Sequence, residues 1–94
     1  MRVLLVNPPT PLEERPNPPL GLAFVAAALE DAGAEVQIID MVTHPLDRER
    51  LARHIAAFRP DVFGTTAVTM TFHGAVQVLR DVKAIDPSLL TMMG

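Results

Sequence analysis

The 94-residue sequence predicts an α/β domain built on a doubly wound parallel sheet. Three observations carry that prediction. Short apolar or β-branched runs at 2–6, 35–40, 61–65 and 89–93 alternate with three segments of helical periodicity. Breakers fall between them at Asn7-Pro8-Pro9, Gly33, Arg59-Pro60 and Asp86-Pro87. Alternation of this kind gives right-handed crossovers, which set parallel strands side by side with helices on both faces.

Arg2-Val3-Leu4-Leu5-Val6 is apolar at successive positions, as expected of a strand buried on both faces. The prolines that follow cannot donate ladder hydrogen bonds, so the strand stops there. Residues 7–19 hold six of the nine prolines and read as a stiff, extended loop. From Leu20 the composition becomes LGLAFVAAALEDAG, with Gly33 placed as a C-cap. Apolar residues surround most of that helix, so it should be covered on more than one side. Glu35 to Asp40 alternates as the second strand. Asp47 is a good N-cap for a helix through Phe58 with Leu51, Ala52, Ile55 and Phe58 on one face. Asp61 to Thr65 is the third strand. A helix from His73 to Ile85 aligns Ala75, Val78, Leu79, Val82 and Ile85, and Leu89 to Met93 begins a fourth strand.

The expected strand order is 2-1-3-4, flavodoxin-like, with the first strand central. Such a domain has a fifth strand, so residues 1–94 are expected to be one domain cut before that strand. A fourth strand without a neighbour would be an exposed apolar edge. Ligands of open α/β sheets bind beyond the carboxyl ends of the strands, here between the first and third. The loops reaching that crevice, 7–19 and 65–72, carry prolines, threonines, glycine and methionine but no clustered acid, base or nucleophile. Hydroxyls and amides of this kind suit a large amide-rich ligand held by many contacts, each worth about 0.5–1.5 kcal/mol.

Several chemistries are unsupported. No G-x-G-x-x-G follows the first strand, and no P-loop occurs. Asn7-Pro8 and Gly64-Thr65 stand where a receiver domain needs acids. The net charge of −3 gives no basic footprint for nucleic acid. No apolar run is long enough to span a membrane, and a cytoplasmic location is expected. The chain has no cysteine, so it holds no thiolate zinc site or iron–sulfur cluster of its own. No catalytic residue or metal ligand is assigned, because no acid–base pair, nucleophile or ligand cluster is visible.

VLLVNPP at 3–9, PPLGLAFVAAALEDAGAEVQIID at 18–40 and FRPDVFGTTAVT at 58–69 together resemble the N-terminal domain of cobalamin-dependent radical-SAM enzymes. Val82-Lys83-Ala84-Ile85-Asp86-Pro87 is similar to that family's I-K-x-x-x-P helix end, and Gly94 to the first glycine of its G-G-P-H strand end. The resemblance covers essentially the whole chain. It implies a cobalamin at the strand carboxyl ends and a downstream radical-SAM domain carrying a [4Fe-4S] cluster and S-adenosylmethionine. Family members include methyltransferases and the anaerobic magnesium-protoporphyrin monomethyl ester cyclase. Methionine-synthase-type domains place D-x-H-x-x-G after the first strand, where this chain has Asn7-Pro8-Pro9-Thr10. No histidine ligand to cobalt is therefore expected from this domain.

The candidate cofactor-binding residues are Asn7, Pro8, Pro9, Gly21, Thr65, Thr66, Thr69 and Gly94. Each has a structural reading as well. Asn7-Pro8-Pro9 also serves as a strand stop, Gly21 as part of a proline-led helix start, and Met70 and Phe72 as packing. Asp40 reads as a residue fixing the next turn at the rim of the crevice. Of His44, His54 and His73, only His73 falls near the crevice. A cofactor-free interaction or dimerisation module of the same fold, homodimer included, is one alternative reading, and a binder of a different small molecule on the same fold is another.

Overall fold

The computed structural model describes residues 1–8, 20–41, 47–66 and 72–93, the side chains of Leu20 and Phe72 excepted. The elements are β1 (Arg2–Asn7), α1 (Leu20–Asp31), β2 (Glu35–Asp40), α2 (Arg48–Phe58), β3 (Val62–Thr65), α3 (Phe72–Ile85) and β4 (Leu90–Met93). The four strands form one sheet in the order β2-β1-β3-β4, and every pairing is parallel. Both the order and the direction are those expected from the alternation of segments.

Side-chain parity divides the core into two layers. Leu4, Val6 and Phe63 meet Leu51 and Ile55 of α2 and Val78 and Val82 of α3 on one face. Val3 and Leu5 meet Leu22 and Ala26 of α1 on the other. Because β1 is central, Val3, Leu4, Leu5 and Val6 are all buried, which is why its sequence is continuously apolar rather than alternating.

Local chemistry sets the element ends. The Asp47 carboxylate accepts from the Arg50 backbone N–H at 2.8 Å and caps α2. Arg59 closes that helix in the left-handed region at φ 54°, its N–H donating to the Ile55 carbonyl at 2.8 Å. At the end of α1, Gly33 has φ 94° and donates to Glu30, while Ala34 donates to Leu29 at 3.0 Å. This is the paired-bond arrangement that a left-handed glycine permits at a helix C-terminus. The Lys83 ammonium donates to the Leu89 carbonyl at 2.6 Å and ties the turn between α3 and β4.

One expectation is corrected. Among the described residues helix α1 is covered on one side only: Leu22 and Ala26 are buried, but Phe24 is 75 % exposed and Val25 half exposed. The sheet order explains this. Helix α1 lies over β1 and β2, and among the described residues no helix packs on Leu90 and Met92 of β4, each 60 % exposed. The apolar edge strand expected from the sequence is therefore present.

Candidate functional site

In a parallel sheet all strands end at the same edge. Here that edge carries Asn7, Asp40, Thr65 and Met93. The helices return antiparallel to the strands, so their N-termini lie at this edge as well. The chain leaves β1 towards α1 on one face and leaves β3 towards α3 on the other. The crevice between β1 and β3 is thus the switch point where ligands of this architecture bind.

Register decides which face each strand-end residue occupies. Asn7 pairs with Asp40, two residues beyond Leu5 and Ile38, on the α1 face. Thr65 pairs with Val6 and Met93 on the α2–α3 face. The Asn7 side-chain amide donates from Nδ2 to Asp40 Oδ1 at 3.0 Å, and the Met41 N–H donates to the Asn7 carbonyl at 2.9 Å. The ends of β1 and β2 are thus joined twice. Thr65 is only 4 % exposed, and its hydroxyl donates to the carbonyl of half-buried Thr66 at 3.2 Å.

The remaining candidates fall as follows. Pro8 is fully buried, so it shapes the strand exit from within the core. Gly21 is exposed in the first turn of α1, and a Cβ built there would meet no described atom within 4 Å. Pro9, Thr69 and Gly94 lie outside the described residues, as do His44, Met70 and the Phe72 side chain. His73 is exposed in the first turn of α3, at the carboxyl edge. His54 is exposed on α2 and lines a groove of about 400 Å³ with Arg2 and Glu35, at the opposite edge. A second groove of about 450 Å³, bounded by Ala52, Arg59, Pro60 and Asp86, also lies at that opposite edge.

Two residues gain weight from the structure. Asp40 was legible as a rim residue, but its bond to Asn7 needs the strand register to be seen. Gly64 pairs with Leu5, and a Cβ there would lie 2.9 Å from Leu5 Cδ2. Only glycine lets Leu5 lean over β3 at this point.

The donor set defines what this edge holds. Among the described residues it offers an amide, a carboxylate, hydroxyls and main-chain carbonyls. No group of three or more histidines and acids there could hold a metal ion. Helices α1 and α3 carry no acid in their first turns. Such a set suits a large neutral molecule rich in carboxamides that brings its own metal, and this fits cobalamin.

A family model described as the B12 binding domain matches residues 14–94. The chain belongs to the B12-binding domain family. An uncharacterized methyltransferase of Pyrococcus horikoshii is 34 % identical over 99 aligned positions, which take in the whole chain and 21 % of that relative. The anaerobic magnesium-protoporphyrin IX monomethyl ester cyclase of Rubrivivax gelatinosus is 30 % identical over 78 positions, covering 82 % of this chain and 14 % of the cyclase. Among solved structures, the radical S-adenosylmethionine methyltransferase TsrM from Kitasatospora setae superposes with a TM-score of 0.81 at 25 % identity. That match covers 99 % of this chain and 19 % of TsrM. The chain spans about a fifth or less of each of these relatives.

Proposed function

We propose that this chain holds cobalamin at the carboxyl edge of its sheet and presents it to a radical-SAM centre for methyl transfer or radical chemistry. The observation that carries the reading is the juxtaposition at the β1–β3 switch point of the Asn7 amide, held by Asp40, the Thr65 and Thr66 hydroxyls and carbonyls, and the N-termini of α1 and α3. When bound, cobalamin would supply a cobalt centre able to carry a methyl group or an electron. The chain's own part is to bind and orient. Asn7 and Thr66 would offer hydrogen-bonding groups at the rim, Thr65 would shape the crevice wall, and Gly21 would leave the start of α1 open to a bulky ligand. Pro9, Thr69 and Gly94 are proposed to complete the site.

The chain has no cysteine, so the [4Fe-4S] cluster of a radical-SAM centre would be held outside these 94 residues, together with S-adenosylmethionine. No helix among the described residues is long and apolar enough to cross a membrane. A cytoplasmic enzyme is the setting proposed.

The test is a titration of the purified protein with hydroxocobalamin, following corrin absorbance and cobalt retained after gel filtration. Stoichiometric retention is expected. Labelling the protein's histidines with 15N should leave the electron paramagnetic resonance spectrum of the Co(II) form unchanged, because no histidine of this chain is proposed as a ligand. A folded protein that retains no cobalamin would overturn the proposal. It would favour a cofactor-free interaction module, a reading supported by the exposure of Phe24, Leu90 and Met92.

A further inference from the structure

The geometry points to Asn7 as the acceptor of a ligand carboxamide N–H, and to Asp40 as the positioning residue that gives Asn7 that polarity; this rests on the cobalamin reading above. A primary amide can sit either way round, with its oxygen or its NH₂ towards a neighbour. An ionised carboxylate only accepts, so the group facing Asp40 must be the Asn7 NH₂. The bond between them, 3.0 Å from Nδ2 to Oδ1, is charge-assisted, and it turns Asn7 Oδ1 away from Asp40. No described residue donates to that oxygen, and no buried side-chain polar atom among the described residues lacks a partner. Among the described residues Asn7 Oδ1 is thus an unoccupied acceptor at the end of the central strand.

Along β1 itself, the described groups beside the Asn7 side chain are acceptors or already paired. Pro8 and Pro9 follow Asn7 and have no N–H, so these two residues offer no backbone donor. The Asn7 carbonyl is occupied by the Met41 N–H, and the Thr65 hydroxyl proton by the Thr66 carbonyl. A ligand carboxamide brings N–H donors and is welcome at such a place. A ligand carboxylate would set acceptor against acceptor, with the Asp40 charge close behind. Asn7 and Asp40 thereby select the amide form of the corrin periphery over its hydrolysed form.

The experiment compares hydroxocobalamin with its three monocarboxylate derivatives, each with one ring propionamide hydrolysed, at about pH 7 where the carboxylate is ionised. Wild type, Asp40→Asn and Asp40→Ala are titrated, with far-UV circular dichroism confirming that each is folded. Wild type should hold cobalamin at least about tenfold tighter than one of the three isomers, the scale of one hydrogen bond changed from made to opposed. Asp40→Asn keeps an acceptor for Asn7 but removes the charge and lets both amides turn over. It should narrow that gap to about threefold or less, and Asp40→Ala should do the same. A purely structural Asp40 would weaken all four ligands alike and leave the ratio unchanged. Wild type that binds cobalamin but treats every isomer equally, or variants that keep the wild-type ratio, would overturn this inference and leave cobalamin binding standing. Wild type that binds no cobalamin would overturn both.

Discussion

Replacing Gly64 by alanine tests whether the close approach of β1 and β3 sets the packing beneath the crevice. The new Cβ would lie 2.9 Å from Leu5 Cδ2, where ordinary contacts begin at 3.4 Å. Leu5 Cδ2 must therefore retreat by about half an ångström. It has little room, because Leu5 is 7 % exposed and packed with Val3, Leu22 and Ala26. Overpacking of this kind costs about 1–3 kcal/mol. Restricting the unfolded chain returns about 0.4–1 kcal/mol. The net expectation is a loss of about 1–2 kcal/mol, which for a domain of this size lowers the melting temperature by about 5–15 °C.

The mechanism is checked by a double-mutant cycle with Leu5→Ala, measured by urea unfolding with far-UV circular dichroism. Leu5→Ala alone should cost about 2–5 kcal/mol by opening a cavity. In that background the clash partner is gone, so Gly64→Ala should be neutral or slightly stabilising. The coupling between the two sites should reach about 1–2 kcal/mol at constant m-value. Costs that add within about 0.5 kcal/mol would refute the reasoning and place the role of Gly64 elsewhere.

Asp47→Ala removes the side-chain cap on the Arg50 N–H and should destabilise the protein by about 0.5–2 kcal/mol in the same urea assay, with Asp47→Ser recovering most of the loss. The Ser88 hydroxyl and backbone N–H, at 2.6 and 3.1 Å, hold the Asp86 carboxyl below its ordinary value of 3.8, with the Lys83 charge acting in the same direction. A carboxyl whose folded-state pKa is depressed contributes stability above its unfolded value and loses it as pH falls through the folded one. Ser88→Ala should therefore flatten the decline in stability on acidification below 3.8, as read by thermal melts across a pH series.

The fold was largely legible because its signals are local. Proline pairs, the Asp47 cap and Gly33 mark ends that the chain itself enforces, and the continuous apolar run at 3–6 announces a central strand. What escaped depended on partners distant in sequence. The apolar circumference of α1 promised covering on several sides. Whether an apolar helix face is covered depends on which elements share its layer, and α1 has few neighbours there. The same limit applied to the site. Asn7 was readable as the end of a strand, and Thr65 and Thr66 as strand-end hydroxyls. That Asn7 faces Asp40 while Thr65 faces the other layer follows from register, since a slip of one residue would exchange the faces. Gly64 looked like an ordinary strand residue until Leu5 was seen against it.

The two edges of the sheet divide the work between them. At the amino edge, the Arg2 N–H donates to Asp61 Oδ2 at 2.8 Å and the Asp61 N–H returns to the Arg2 carbonyl at 2.7 Å. The Arg2 guanidinium reaches the Phe58 carbonyl at 3.0 Å and Glu35 at 3.3 Å. The exposed ion pair alone adds little, because solvent screens it. The backbone-directed bonds matter more, since together with the Glu35 N–H to the Met1 carbonyl they align the starts of β1, β2 and β3. With register fixed there, and in the two apolar layers, the carboxyl edge has less structural duty. Its strand-end residues Asn7, Asp40, Thr65 and Met93 include one charge, and that carboxylate accepts from Asn7. A site built this way can be tuned for an amide-bearing ligand, because the bonds that align the strand starts do not involve Asp40.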